Sequence, residues 1–227
     1  KEGFLHFDGE MMRNILRIGV PNACENSFFQ FGRLIVASMI ALFGTMQTSA
    51  NAVANTLDSI GIIAGQAMSL AIVTVVGQCV GARDNRQVVY YVKKLIGWSY
   101  LMMGVCNLLI LLFVNGLIGL YSGLSPETVA LARSLVVLHC SCAILMWPVA
   151  FVLPSALRAA NDVKFTMWVG VGSMLVFRVF GSWLLCVQME MGAMGVWIAM
   201  ILDWVCRIAF YLPRMISGKW KSKYRPA

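Results

Sequence analysis

Polar side chains that can bind ions or exchange protons lie at helical spacing inside apolar stretches of this 227-residue chain. The first stretch carries four of them, separated by four, four and three positions: Asn22, Asn26, Gln30 and Arg33. An advance of about 100° per residue places them on one face of a helix, with Glu25 at the edge of that face. Amides, a carboxylate and a guanidinium on one face can bind an ion or line a polar pathway.

A second polar stripe follows in the next apolar stretch and consists of Asn51, Asn55, Asp58, Gln66 and Ser69. Gly61 and Gly65 lie among these residues, and small residues allow two membrane helices to approach closely. We therefore predict that the first two helices turn their polar faces toward the same interior.

Two interpretations of these stripes remain open. In the structural one, the amides bond across helices and Arg33 forms an ion pair with Glu25 or Asp58. In the functional one, the same groups line a hydrated cavity. An ionised group at the centre of a membrane helix costs roughly 2.5–3.5 kcal/mol, so such groups usually face water or a partner.

Further ionisable residues lie in the later stretches. Asp203 and Arg207 are four positions apart, which is the spacing of a local ion pair on a helix. Arg178 is expected to neutralise Asp203 from the neighbouring helix, and Arg207 to extend toward the membrane surface. For these residues, and for His139, a structural role is favoured over a proton relay.

Six apolar stretches must position these groups. A hydrocarbon core about 30 Å thick requires roughly 20 residues of helix. The chain contains six stretches of sufficient length, at residues 18–43, 51–78, 95–121, 134–157, 165–188 and 191–213. They are too long for barrel strands, and helices satisfy every backbone amide in lipid. We predict an all-α integral membrane protein with a six-transmembrane-helix bundle over residues 18–213, in which Pro148 and Pro154 bend the fourth helix.

The charge distribution predicts orientation in a membrane rather than a nucleic-acid partner. The net charge is +8, and 14 of the 18 Lys and Arg residues flank one side of the predicted bundle. Because basic loops remain in the cytoplasm, both ends of the chain are expected on the cytoplasmic side of the cell membrane. Residues 1–17 are predicted to form an amphipathic lead-in, and residues 214–227 a loose basic tail. Because the chain begins with Lys1 rather than Met, we expect it to be a fragment.

The composition and motifs argue against an enzyme. The chain is 59% hydrophobic and 12% charged, and it contains no GxSxG, HExxH or Walker sequence and no metal-ligand spacing of Cys and His. We therefore expect no catalytic residues, no cofactor and no metal site.

Four short motifs together carry a resemblance to a known family. They are Ile18-Gly-Val-Pro21, Gly32-Arg-Leu-Ile-Val36, Val76-Gly-Gln-Cys-Val-Gly-Ala82 and Leu157-Arg-Ala-Ala-Asn-Asp162. In this order they resemble the C-terminal half of the MATE family of multidrug and toxic-compound extrusion transporters. The resemblance implies one six-helix lobe of a twelve-helix transporter whose N-terminal lobe is missing from this chain. It also implies expulsion of small cationic or aromatic drug-like substrates in exchange for H⁺ or Na⁺.

The chain departs from the family pattern at both acidic positions of the coupling site that some branches use. Phe29, beside Gln30, and Trp147 stand where those branches carry a Glu and an Asp. The resemblance therefore identifies no coupling carboxylate, and Asp58 and Glu25 remain alternatives. Our predicted substrate and ion pathway consists of Glu25, Asn26, Gln30, Arg33, Asn55, Asp58 and Trp147, the last as a stacking surface for flat substrates.

The leading hypothesis is half of a secondary active transporter that works by alternating access. One alternative is a flippase for lipid-linked oligosaccharides from the wider superfamily, which requires a cationic cavity for an anionic headgroup. Another is a non-transporting membrane scaffold, whose polar stripes would tolerate replacement by apolar residues.

Overall fold

The structure is a computed structural model that describes residues 9–223, without the side chains at positions 11, 14, 17, 18, 21 and 223. Within that range the chain forms helices and short connections and contains no strand. The six long helices are α1 (Gly9–Ala41), α2 (Gly44–Gly81), α3 (Asn85–Gly119), α4 (Pro126–Ala159), α5 (Val163–Gln188) and α6 (Gly192–Ile216). A short 3₁₀ helix, Lys219–Lys223, follows α6.

The described residues contain five helices, α2 to α6, that are both long enough and apolar enough to cross a membrane. Helix α1 has 33 residues, which is ample length, but its polar stripe lowers its hydropathy. The prediction of an all-α membrane fold is confirmed. Five of the six predicted spans qualify on hydropathy, and the first differs because its polar side chains interrupt the apolar residues.

Several boundaries differ from the predicted ones. Residues 9–17 continue directly into α1 instead of forming a separate lead-in, and residues 1–8 lie outside the described range. The predicted connection at 44–50 is the beginning of α2, and Gly44 makes the turn that precedes it with a φ of +88°. The tail is not loose up to residue 223, because Trp220 is 1% exposed and its indole Nε1 donates to the Met215 carbonyl at 3.2 Å.

Helices α4 and α5 contain wider, π-helical turns at Pro148–Val152, Met174–Phe180 and Trp183–Gln188. Pro148 has no backbone N–H, and the amide of Leu153 bonds to its carbonyl across five positions. The expected bend at this proline therefore takes the form of a widened turn. Such turns add a residue to one turn of the helix and are frequent at functional sites.

Close packing joins α2 to α3 and α4 at the two predicted glycines. The fully buried Asn107 donates from Nδ2 to the Gly61 carbonyl at 3.1 Å and to the Met103 carbonyl at 2.9 Å. At Gly65, the indole ring of Trp147 occupies the space that a Cβ would need. Both contacts agree with the prediction that small residues allow close approach.

Candidate functional site

A cavity of about 500 Å³ lies among α1, α2, α4, α5 and α6. It is lined by residues from both polar stripes and from the proline-containing part of α4: Phe29, Arg33, Asn55, Asp58, Ser59, Ile62, Gln66, Ser69, Leu70, His139, Trp147, Phe151, Ser155, Arg158, Arg178, Met200 and Trp204. Arg33, Asn55, Asp58 and Trp147 of the predicted pathway thus share one cavity.

Asp58 and His139 meet on the wall of this cavity. Nε2 of His139 lies 2.7 Å from Oδ1 of Asp58, although no described donor is aligned with that oxygen as a hydrogen bond. The imidazole is 1% exposed and its Nδ1 has no described partner, whereas the Asp58 side chain is 17% exposed. The Asp58 carboxylate thus meets a buried imidazole on one side and the cavity on the other.

Aromatic rings surround the imidazole and extend along the cavity. Trp197 and Trp204 approach His139 edge to face, with centroid distances of 5.5 and 5.2 Å. Trp147 stacks on Phe151 at 5.0 Å and is 6% exposed. The predicted stacking residue therefore lies on the cavity wall, but its indole ring is largely covered by Phe151 and by the backbone at Gly65.

Arg33 and Arg178 also face the cavity, and neither has the partner that its sequence position suggested. The expected pairing of Arg33 with Glu25 or Asp58 is wrong, because Glu25 pairs with Arg158 and Asp58 meets His139. Among the described residues, neither arginine forms an ion pair. The guanidinium of Arg178 instead lies 5.3 Å from the Phe29 ring centroid.

Asp203 forms its ion pair with Arg207 and not with Arg178, although its charge still attracts the Arg178 guanidinium. Nε of Arg207 donates to both oxygens of Asp203, at 3.2 and 3.1 Å, which confirms the local pair predicted from their spacing. Arg207 is buried, and its Nη2 donates to the Gly170 carbonyl at 3.0 Å. The expectation that Arg207 extends to the membrane surface is therefore wrong, since its hydrogen bonds hold it between α5 and α6.

Two more ion pairs lie near the α4–α5 connection. Nη1 of Arg158 donates to Glu25 at 2.9 Å, and its Nη2 donates to Ser155 at 3.2 Å. Asp162 accepts two bonds from Arg214, at 2.7 and 3.1 Å. Together with the buried pair of the preceding paragraph, these pairs form what we call the ion-pair cluster: Glu25–Arg158, Asp162–Arg214 and Asp203–Arg207. Glu25 is a member of this cluster and not of the cavity wall.

Asn26 and Gln30 lie away from the Asp58 cavity. They line a separate open groove of about 330 Å³ with Ser27, Phe31 and Leu34. The polar stripe of α1 spans about 80° of the helix circumference at about 100° per residue. The rotation of α1 decides which edge faces inward, and it places the Phe29 edge inside and the Gln30 edge outside.

Sequence reasoning missed several interactions of the site. Trp197 donates from Nε1 to Asn51 at 2.9 Å, and Arg158 lines the cavity while it pairs with Glu25. Arg158 lies in one of the four motifs that carried the family resemblance, and that position could have identified it as a candidate site residue. Phe151 is four residues after Trp147, so helical spacing was a signal for that ring as well. Nothing local indicates that Asn51 bonds to α6.

Comparison with known proteins identifies the family. The family model described as MatE matches residues 21–184. The chain is 25% identical over 222 residues to the uncharacterized transporter YisQ of Bacillus subtilis, covering 96% of this chain and 46% of YisQ. It is 25% identical over 213 residues to the probable multidrug resistance protein NorM of Thermotoga maritima, covering 93% of this chain and 45% of NorM.

A solved structure supports the same assignment at the level of the fold. An outward-facing multidrug resistance MATE family transporter of the MOP superfamily superposes with a TM-score of 0.82 at 19% identity, over 98% of this chain and 50% of that one. The chain also spans about half the length of the curated relatives described above, YisQ and NorM. It is a multi-pass membrane protein that belongs to the MatE family of transporters, and it corresponds to one lobe of such a transporter.

Proposed function

We infer that this chain is the C-terminal lobe of a secondary active transporter in the cell membrane, with both of its ends in the cytoplasm. The complete protein expels small drug-like molecules by alternating access, as the two lobes rock about a central site. Entry of a cation drives the expulsion. The observation that carries the proposal is the Asp58–His139 contact on the wall of a cavity of about 500 Å³.

The surroundings of Asp58 favour H⁺ over Na⁺ as the coupling ion. A carboxylate and an imidazole lie 2.7 Å apart on the cavity wall, and side chains of both kinds can bind a proton. A sodium ion needs several oxygen ligands, whereas the nearest described partner of Asp58 is a ring nitrogen. The guanidinium groups of Arg33 and Arg178 on the same wall repel a metal cation.

The walls also narrow the class of substrate. The rings of Trp147 and Phe151, which stack on each other, make part of the cavity wall aromatic and apolar. Three arginines and one aspartate line the cavity, so its charge is unfavourable for a strongly cationic substrate. Of the two classes expected from the sequence, cationic and aromatic, the aromatic one fits this lobe better.

The three arginines also support one second candidate, a flippase for lipid-linked oligosaccharides. Such a protein must hold an anionic headgroup in a cationic cavity, and Arg33, Arg158 and Arg178 supply the charge. Movement of a fluorescent lipid-linked sugar between leaflets, without efflux of soluble dyes, would favour this candidate over drug expulsion.

Reconstituted vesicles test the proposal. The full-length protein that carries this chain is placed in vesicles loaded with an aromatic dye, and H⁺ and Na⁺ gradients are imposed separately. We expect dye efflux to follow the H⁺ gradient. We expect the efflux rate of the Asp58→Asn variant to be lower by a factor of at least about ten, which corresponds to a free-energy difference of about 1.4 kcal/mol. Asparagine keeps the shape of the side chain and removes its titration.

Asp84→Asn is the matched control for this experiment. Asp84 caps α3 by accepting from the amides of Arg86 and Gln87, and asparagine caps a helix equally well. We expect wild-type efflux from this variant. Efflux that still follows the H⁺ gradient in Asp58→Asn would refute the role of Asp58. Wild-type vesicles that move no dye under either gradient would favour the scaffold alternative.

A further inference from the structure

Arg178 is a half-buried cation that forms no ion pair with the described residues. It lies in the π-helical turn Met174–Phe180, which directs the residue toward α1 and the cavity. Its Nε is buried and has no hydrogen-bond partner among the described residues. The Phe29 ring lies 5.3 Å from its guanidinium carbon, and the carboxylates of Asp203 and Asp58 attract it from beyond ion-pair distance.

Arg33 faces the same space from α1. Both arginines line the cavity of about 500 Å³ and also a smaller adjoining cavity of about 100 Å³. Two like charges that share one small cavity repel each other, so their proximity is unfavourable unless an anion lies between them.

The acids near these arginines make their close contacts with other residues, although Asp203 and Asp58 still attract Arg178 electrostatically. Asp203 accepts two bonds from Arg207, Glu25 is paired with Arg158, and Asp58 meets His139. Ionisable groups in membrane helices usually pair with each other or mark a substrate pathway. Within residues 9–223 these two arginines form no ion pair, so we consider them as part of a substrate pathway.

We propose that Arg33 and Arg178 form a subsite for the anionic group of the transported molecule, a carboxylate or a phosphate. A guanidinium presents parallel N–H donors that match two oxygens of either group. The proposal deepens the function inferred above, and it rests on that function only for the fate of the ligand, since binding needs no transport.

The shape of the site defines the rest of the ligand. The smaller cavity has room for a carboxylate or phosphate, since a water molecule takes up about 30 Å³ in the liquid. It adjoins the larger cavity, whose apolar lining includes Phe29, Ile62 and Leu70. The ligand that fits both is an amphipathic anion, with its charge at the arginines and its apolar body against this lining.

Calorimetric titration tests the subsite directly. The full-length protein in nanodiscs of neutral phosphatidylcholine is titrated with 2-naphthoate and with 2-naphthamide, which share a ring system and differ in charge. We expect naphthoate to bind at least about tenfold more tightly, because hydrogen bonds between charged groups are about twice as strong as neutral ones. We expect Arg178→Gln and Arg33→Gln each to reduce that preference, and the double variant to abolish it.

Arg133→Gln is the matched control, because Arg133 is exposed on the first turns of α4 and lines neither of the two cavities. It should keep the full preference for naphthoate, and Arg178→Lys should keep part of it. If Arg178→Gln does not fold, the Arg33→Gln variant alone tests the proposal. Arg33 is an exposed side chain, so its replacement should not prevent folding. Equal binding of the two compounds to the wild type, or an undiminished preference in Arg33→Gln, overturns the proposal.

A competition arm separates the two sources of the anion. Nanodiscs that contain phosphatidic acid are compared with nanodiscs of phosphatidylcholine alone. Loss of naphthoate binding in the anionic nanodiscs, with binding of 2-naphthamide unchanged, assigns the subsite to a lipid phosphate. Unchanged naphthoate binding assigns it to a soluble anion. A preference for naphthoate in a protein that transports no dye would reject the transport function and keep the subsite.

Discussion

The ion-pair cluster and the cavity use the same kinds of charged side chain in opposite ways. In the cluster, each carboxylate meets a guanidinium at 3.1 Å or less, and Asp203 is fully buried. In the cavity, Arg33 and Arg178 lack acidic partners among the described residues, and Asp58 meets only a histidine. Burial alone therefore does not separate structural charges from functional ones in this lobe.

The difference lies in whether a charge has a partner that the fold supplies. Arg207 bridges Asp203 on its own helix and the Gly170 carbonyl on α5, so it fixes the position of one helix against another. Arg178 lines the cavity, and its Nε donates no hydrogen bond to a described residue. The first arrangement connects two helices of the lobe, and the second leaves donors free for the anion that we propose as ligand.

The largest expected effect comes from removing one member of the buried pair. Arg207→Met leaves Asp203 charged and unpaired among apolar side chains, and we expect a loss of about 3–5 kcal/mol in the free energy of unfolding. Thermal unfolding of the purified protein in detergent measures the loss. The double variant Asp203→Leu/Arg207→Met removes both charges and should recover most of the stability. A single variant as stable as the wild type would contradict the structural role of the cluster.

An intermediate effect is expected where α2 packs against α3 and α4 beside the cavity. Gly65→Ala places a Cβ against the Trp147 ring and 2.7 Å from Sδ of Met103. We expect a loss of about 1–3 kcal/mol, because overpacking displaces side chains from their preferred rotamers. Gly77→Ala, on the same helix, is the control, since no atom lies within 4 Å of its Cβ position. Equal stability of the two variants would show that the wall is not closely packed.

The smallest effect, of opposite sign, is expected in the cavity. Arg178→Met removes a cation that has no acidic partner within residues 9–223, and we expect the lobe to gain about 1 kcal/mol in stability. The same thermal unfolding assay that serves for Arg207→Met gives a direct comparison of two arginines changed to the same residue. If Arg178→Met destabilises the protein as Arg207→Met does, the distinction between the two regions fails.

Sequence reasoning succeeded where an interaction is local. The Asp203–Arg207 pair follows from a spacing of four on one helix, and the tight packing at Gly61 and Gly65 follows from residue size. It failed for the Glu25–Arg158 pair, whose members are 133 positions apart. No feature of the residues near Glu25 distinguishes Arg158 from the closer Arg33 as its partner.

Hydropathy and helical periodicity alone determined that this chain crosses a membrane as helices and that α1 and α2 each carry a polar face. These properties depend on neighbouring residues, because backbone hydrogen bonds in lipid must be satisfied within each helix. The tertiary structure decided which side chains meet. The rotation of α1 turned Arg33 into the cavity and Gln30 out of it, and the π-helical turn in α5 aimed Arg178 at α1. Such rotations result from packing against helices far away in the sequence, so the spacing within one helix cannot specify them.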